Sequence, residues 1–196
     1  MSGHKLSRVA AATFTILLVA VSASAASASS PVRFGAKLTS NVQPSNSVPA
    51  DDCEPTAGQS CTRVMTQALG RETPRAPKDG TIAKIRLIAG ESGRLTVYIA
   101  KIKDGTTAKV MRKGPVSDFD GQPDNISNYK VETFSVSIPV KKGEVLAFKS
   151  TSTSVLRCNS GGNKHLIFQP SLQVGQGFQE ADETDGCSML IEAQYK

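Results

Sequence analysis

Short stretches of alternating apolar and polar residues, each bounded by turn residues, run through most of this 196-residue chain. In residues 81–88, Ile85 and Leu87 fall on one face while Lys84 and Arg86 fall on the other. Alternation with a period of two residues is typical of a strand with one buried face. Helices would need a repeat of 3.6 residues, which the chain does not show beyond its first segment. The pattern therefore favours an all-β protein.

Turn signals divide this pattern into about eight or nine short strands. Asp104-Gly105 and Lys142-Gly143 are the clearest of these signals. Regularly spaced short strands predict an antiparallel β-sandwich, and a jelly-roll-like arrangement suits this number. The predicted strands are residues 32–38, 81–88, 94–99, 106–111, 132–138, 144–148, 165–168 and 187–195.

The first segment has the layout of a secretory signal peptide. A basic start precedes an apolar run over residues 9–21, and small residues suited to a cleavage site follow, which gives a signal peptide over residues 1–28. We therefore expect a secreted, extracellular protein with no membrane association after cleavage. Removal of Lys5 and Arg8 leaves 21 basic against 17 acidic residues, a side-chain charge of +4. This modest excess does not predict binding to nucleic acid.

Composition changes again near residue 60. Residues 29–60 are rich in Ser, Pro and Asn, which predicts an extended segment with an edge strand at 32–38. Residues 61–196 carry the regular strands and are the predicted sandwich domain.

Four cysteines fit an exported chain, where disulfides form and persist. Three pairings are open for Cys53, Cys61, Cys158 and Cys187. We favour Cys53–Cys61 and Cys158–Cys187, because each pair joins loop-flanked positions within one half of the chain. Zinc is not expected, since no cysteine pair has zinc-finger spacing and His165 would be the only histidine of the mature chain.

Several local sequences resemble a group of uncharacterised secreted proteins of actinobacteria. They are Phe34-Gly35-Ala36-Lys37-Leu38, Cys53 with Cys61-Thr62, Ala76-Pro77-Lys78-Asp79-Gly80-Thr81-Ile82, and Ile138-Pro139-Val140-Lys141-Lys142-Gly143-Glu144-Val145-Leu146. The resemblance covers most of residues 34–195. It implies a signal peptide followed by one jelly-roll-type β-sandwich. It implies no activity or ligand, because the shared motifs are turns and strands.

Aromatic residues are the first candidates for a binding site, since flat rings can stack on sugars while a hydroxyl makes a polar contact. The chain has no tryptophan, so tyrosines are the available choice. Tyr129 in a predicted loop is the best candidate, and Tyr98 is the second.

An acidic loop is the candidate metal site. Asp118, Asp120 and Asp124 surround a Gly-Pro turn, and calcium prefers several carboxylate and carbonyl oxygens of a flexible loop. The spacing departs from the EF-hand pattern, so a solvated turn is the alternative. No cofactor other than calcium is expected.

Catalytic signals are weak. The chain lacks a Gly-x-Ser-x-Gly motif, and Glu144, directly after a tight turn, is predicted to be the solvent-facing start of a strand. Glycoside hydrolysis needs two suitably spaced carboxyl groups, and 17 acidic residues offer many pairs without selecting one. We therefore expect a secreted, non-catalytic binding or structural module whose partner is a cell-wall polysaccharide or an extracellular protein. A carbohydrate-active hydrolase is the alternative.

Overall fold

The computed structural model describes residues 30–38, 47–49, 60–122, 129–150 and 156–196. Within these ranges the chain forms antiparallel strands and no helix. The side chains of residues 47–49 and 160–164 are outside this description. No described helix is long and apolar enough to cross a membrane. The strands are β1 Arg33–Gly35, β2 Ser47–Pro49, β3 Cys61–Met65, β4 Gly80–Leu87, β5 Gly93–Ile102, β6 Thr107–Phe119, β7 Glu132–Val140, β8 Val145–Ser150, β9 Arg157–Phe168, β10 Gln179–Glu180, β11 Glu183–Met189 and β12 Ile191–Tyr195.

Two sheets form a β-sandwich. The smaller sheet has the order β1-β12-β4-β7, and the larger has the order β10-β6-β5-β8-β3-β9-β11, with β2 pairing β9 beside it. All of the described strand pairs are antiparallel. The all-β antiparallel sandwich predicted from the alternation is confirmed.

The main apolar core lies between the two sheets. Ile85 and Leu87 of β4 belong to it, as do Val97 and Ile99 of β5 and Phe148 of β8. Ile85 with Leu87, and Val97 with Ile99, are the apolar faces that the alternating pattern predicts for residues 81–88 and 94–99. Burial of such side chains stabilises the fold by about 1.5–3 kcal/mol each.

A second apolar cluster covers the outer face of the larger sheet. It contains Tyr98 and Ala100 of β5, Ala147 of β8 and Phe168 of β9, together with Leu172 from the segment that follows β9. The central strands of this sheet are therefore buried on both faces. Such strands appear in a sequence as continuous apolar runs, as in residues 145–148.

The last predicted strand, residues 187–195, is divided between the two sheets. β11 ends at Met189 in the larger sheet and β12 begins at Ile191 in the smaller one. The alternating apolar residues of this range all lie in the core between the sheets, so the alternation continues through the crossing at Leu190; they are Cys187, Met189, Ile191, Ala193 and Tyr195. This division, together with the short strands β2 and β10 and the unpredicted strand β3, accounts for the twelve described strands against the eight predicted ranges.

The sandwich begins earlier than residue 61, where the composition changes. The chain divides between Ser30 and Pro31, and Pro31–Lys196 is one compact unit. Phe34 on β1 is buried in the main core, and β1 pairs with β12 as an edge strand, as predicted. Gly35 has a φ of +86°, and an added Cβ would lie 2.7 Å from the Ile191 carbonyl oxygen. Only glycine fits there without strain.

The predicted disulfide Cys158–Cys187 is present and joins β9 to β11, with a Cα–Cα distance of 5.6 Å. Cys158 and Cys187 are both buried in the main core. Cys61 is disulfide-bonded as well. Its predicted partner, Cys53, lies outside the described residues.

We expect the double substitution Cys158→Ala/Cys187→Ala to lower the free energy of unfolding by about 3–4 kcal/mol, because the bond closes a loop across a sequence separation of 29 residues. Urea denaturation of both proteins without reducing agent measures this difference. An unchanged midpoint would show that the pairing of β9 with β11 holds the sheet without the covalent link.

Candidate functional site

The two tyrosines predicted to stack on sugars are both buried. Tyr98 is 3% exposed and belongs to the cluster on the outer face of the larger sheet. Tyr129 is 7% exposed and packs with Leu38 and Leu190, and the Arg157 guanidinium lies 4.5 Å from its ring centroid. The rings lie in different clusters. Neither ring offers the open face that sugar stacking requires.

Two of the three residues predicted to bind calcium, Asp118 and Asp120, lie at the end of β6. Asp118 is exposed, and its Oδ1 accepts a hydrogen bond from Arg94 Nε at 2.8 Å. Asp120 lines a shallow depression of about 380 Å³ together with Glu91. Asp124 lies outside the described residues. No three acidic, histidine or cysteine side chains within the described ranges are grouped closely enough to hold a metal ion.

Strand register brings Glu91 beside Asp120, although the sequence analysis did not select Glu91. Gly93 at the start of β5 pairs with Phe119 at the end of β6, so the residues before one strand lie beside those after the other. Gln122 N–H donates to Gly90 O at 2.5 Å and joins the two segments. The hairpin signal Asp104-Gly105 predicts that β5 pairs with β6. It does not predict that the pairing extends over the whole length of β6.

Glu132 at the start of β7 is electrostatically coupled to this depression. Burial raises the pKa of the Glu132 carboxyl above its ordinary value, the charge of Asp120 raises it further, and Lys130 opposes the shift. The folded structure thus increases the affinity of the Glu132 carboxylate for a proton.

A concentration of positive charge around a cavity lies at the turn between β7 and β8. This basic cleft has a volume of about 370 Å³. Arg75, Lys101, Lys141 and Lys142 line it and are all exposed. The remaining lining residues are Ile102, Met111, Gly143 and Glu144.

Three elements hold the charged side chains of the basic cleft. Lys101 lies near the end of β5, and Arg75 makes an isolated bridge with Val145 on β8. Arg75 Nη1 donates to Gly143 O at 2.9 Å, which fixes one edge of its guanidinium against the turn. Gly143 has a φ of +83°, so the turn that presents Lys141 and Lys142 depends on glycine there.

Glu144 is buried in the wall of the basic cleft, and the prediction that it faces solvent is wrong. It is 4% exposed, and Arg112 on β6 binds it with two hydrogen bonds of 2.7 and 3.1 Å. The Lys141 N–H donates to Glu144 Oε2 at 2.6 Å. The turn alone predicts an exposed strand start. Burial of Glu144 depends on its long-range partner Arg112, which lies 32 residues away in sequence on another strand.

Both Glu144 oxygens accept hydrogen bonds from Arg112, so the charge of this carboxylate is balanced by Arg112. The four exposed cations that line the cleft are therefore not neutralised by Glu144. Asp79 accepts a hydrogen bond from Lys142 N–H at 2.7 Å, but it is not among the lining residues. A recess lined by four exposed cations attracts anions and can contact several oxyanion groups of one ligand.

Comparison with protein-family models, curated proteins and solved structures finds no match for this chain. The resemblance to secreted actinobacterial sandwiches stays a prediction.

We expect Glu144→Gln to lower the free energy of unfolding by about 2–3 kcal/mol, because Arg112 would keep its charge in a partly buried position without a carboxylate. Chemical denaturation measures this loss. Asp118→Asn is the matched control, since it breaks an exposed pair with Arg94 and should leave stability nearly unchanged. Equal effects of the two substitutions would contradict a structural role for the Glu144–Arg112 pair.

We expect Asp120→Asn to lower the pKa of Glu132 but to leave it above its ordinary value, because burial remains. Because the folded-state pKa of Glu132 is raised, the protein loses stability as the pH rises from the ordinary glutamate pKa through the folded-state value. The substitution Asp120→Asn should make this loss of stability smaller. Carboxyl ¹³C NMR titration measures the pKa. Asp118→Asn is the control and should not shift it.

Proposed function

We propose that this protein is a secreted, non-catalytic binding module that contacts an acidic polymer of the cell surface through the basic cleft. The observation that carries the proposal is the convergence of Arg75, Lys101, Lys141 and Lys142 on one recess.

Export is supported by two independent features. The first segment has the order of regions of a signal peptide, and the chain forms a buried disulfide, Cys158–Cys187. Disulfides persist in oxidising compartments such as the cell exterior. An exported sandwich with a positively charged recess would meet acidic polymers at the surface of the cell that released it.

The arrangement of the basic cleft favours binding through several charges at once. Lysines supply compact charges with three donors each, while the Arg75 guanidinium, fixed by Gly143 O, offers a planar edge. Repeated phosphate or carboxylate groups along a polymer would each meet a separate cation. The sum of several weak contacts then gives a useful affinity.

A hydrolase receives less support from the described residues. Glycoside hydrolysis needs two carboxyl groups, and Glu144 is the only acidic residue lining the basic cleft. Glu91 and Asp120 share the shallow depression, but both are exposed, whereas a general acid ordinarily depends on burial to raise its pKa. Burial raises the pKa of nearby Glu132, but Glu132 is not among the described residues that line the depression.

We expect the predicted mature protein, from Ser29 onward, to sediment with phosphocellulose and not with unmodified cellulose. Lys141→Ala/Lys142→Ala should weaken retention roughly tenfold, because two exposed cations of the cleft are lost. Co-sedimentation at fixed ionic strength measures both results, and isolated cell envelopes provide the natural surface.

Lys113→Ala/Lys130→Ala is the matched control, since it removes the same charge from exposed positions that do not line the cleft. Equal losses in the two double variants would mean that net charge alone drives retention and would refute the cleft as the site. Retention of both variants at wild-type strength would refute it as well.

A further inference from the structure

A second concentration of positive charge lies on the outer face of the smaller sheet. Glu192 on β12 faces away from the core, because its neighbours Ile191 and Ala193 lie in the core. It is nevertheless only 1% exposed. In the sheet register it lies between Gly35 of β1 and Arg86 of β4.

Three arginines from three separate parts of the chain cover this carboxylate. Arg71, between β3 and β4, donates to Glu192 Oε1 at 2.5 Å. Arg86 on β4 donates to Glu192 Oε2 and, at 3.1 Å, to Leu38 O. Arg33 on β1 lies 3.5 Å from the same Oε2. We call these four residues the arginine cluster.

The arginine cluster holds more positive charge than its carboxylate can balance. Three guanidiniums against one carboxylate give a side-chain charge of +2 around a group that is removed from water. Like charges at such short range repel one another more strongly in a protein than in water. Arg71 and Arg86 each donate a hydrogen bond to Glu192, whereas the described contact of Arg33 with the carboxylate is an ion pair alone, so Arg33 adds positive charge beyond the two hydrogen-bonded pairs.

The arginine cluster also holds more donors than acceptors. Each guanidinium has five N–H groups, whereas a carboxylate accepts about four hydrogen bonds. The Nε atoms of Arg33 and Arg71 are buried and have no hydrogen-bond partner. An additional anion would supply the negative charge that the cluster lacks, and its oxygens would accept from N–H groups on the solvent-facing edges of the guanidiniums.

The guanidiniums remain within reach of solvent. The side chains of Arg33, Arg71 and Arg86 are 32%, 26% and 14% exposed. The adjacent row of the sheet places Gln194 and Lys84 in register with Arg33. Further polar side chains thus lie on the same face, next to the arginine cluster.

We infer that the arginine cluster is an oxyanion-binding site that takes a carboxylate or phosphate group, distinct from the basic cleft. Glu192 holds the three guanidiniums in one place, and their solvent-facing edges bind the incoming group. Planar guanidinium edges suit both anions, because each presents paired oxygens. The site does not depend on the proposed function of the basic cleft.

NMR titration of the arginine Nε–H signals tests this inference on the predicted mature protein. Sodium phosphate and sodium acetate are added separately at constant ionic strength, with sodium chloride as the reference titration. We expect saturable shifts at Arg33 and Arg71 with at least one oxyanion, and the comparison identifies which group the site prefers. Shifts no larger than those with chloride would overturn the inference.

Three variants locate the effect. Arg33→Gln should weaken binding about two- to fivefold, as expected for loss of one partly exposed charged contact. Arg94→Gln removes an exposed arginine on β5 and should leave binding unchanged. The cleft variant Lys141→Ala/Lys142→Ala should also bind normally. If that variant lost the oxyanion and Arg33→Gln kept it, the anion would bind at the cleft and the inference would be wrong.

Discussion

Burial of the larger sheet on both faces determines where this protein can present polar groups. The core between the sheets covers one face, and the cluster around Tyr98 and Leu172 covers the other. The central strands β5 and β8 are therefore occupied with packing over most of their length. Charged side chains that can meet a ligand lie mainly at the ends and outer strands of the larger sheet and on the outer face of the smaller sheet. The basic cleft and the arginine cluster lie in these two places.

The alternating pattern predicted the inward faces of the strands correctly and failed where a second layer covers the outer face. Val97 and Ile99 lie in the main core as expected, but Tyr98 between them is buried too, because Leu172 packs against that side. A local pattern carries no information about a covering segment more than seventy residues away in sequence. The same reason applies to Tyr129, which Leu38 and Arg157 enclose. Fold class and one disulfide could be predicted locally, whereas the site needed long-range contacts.

Two buried glutamates show how the strands position charge. Glu144 and Glu192 both occupy positions that the sequence pattern assigns to solvent, and arginines from other strands cover both. A carboxylate leaves water at tolerable cost only when hydrogen-bond donors and a compensating positive charge replace its hydration. The pairings also differ in a way that bears on ligand binding. Glu144 meets one guanidinium in a two-bond contact, while Glu192 meets three. The charges of Glu144 and Arg112 cancel, whereas Glu192 and its three arginines keep a net positive charge.

The modest net charge of the chain conceals this uneven distribution. The basic cleft with Arg112 carries five cations and Glu144, a side-chain charge of +4, and the arginine cluster carries +2. The predicted mature chain carries +4 in total, so its remaining residues sum to −2. An anion approaching at a distance meets a weakly charged protein, since charges separated by more than about 8–10 Å are largely screened at physiological ionic strength. Close to the surface it meets two separate positive regions. Local arrangement, rather than total charge, therefore decides whether and where an anion binds.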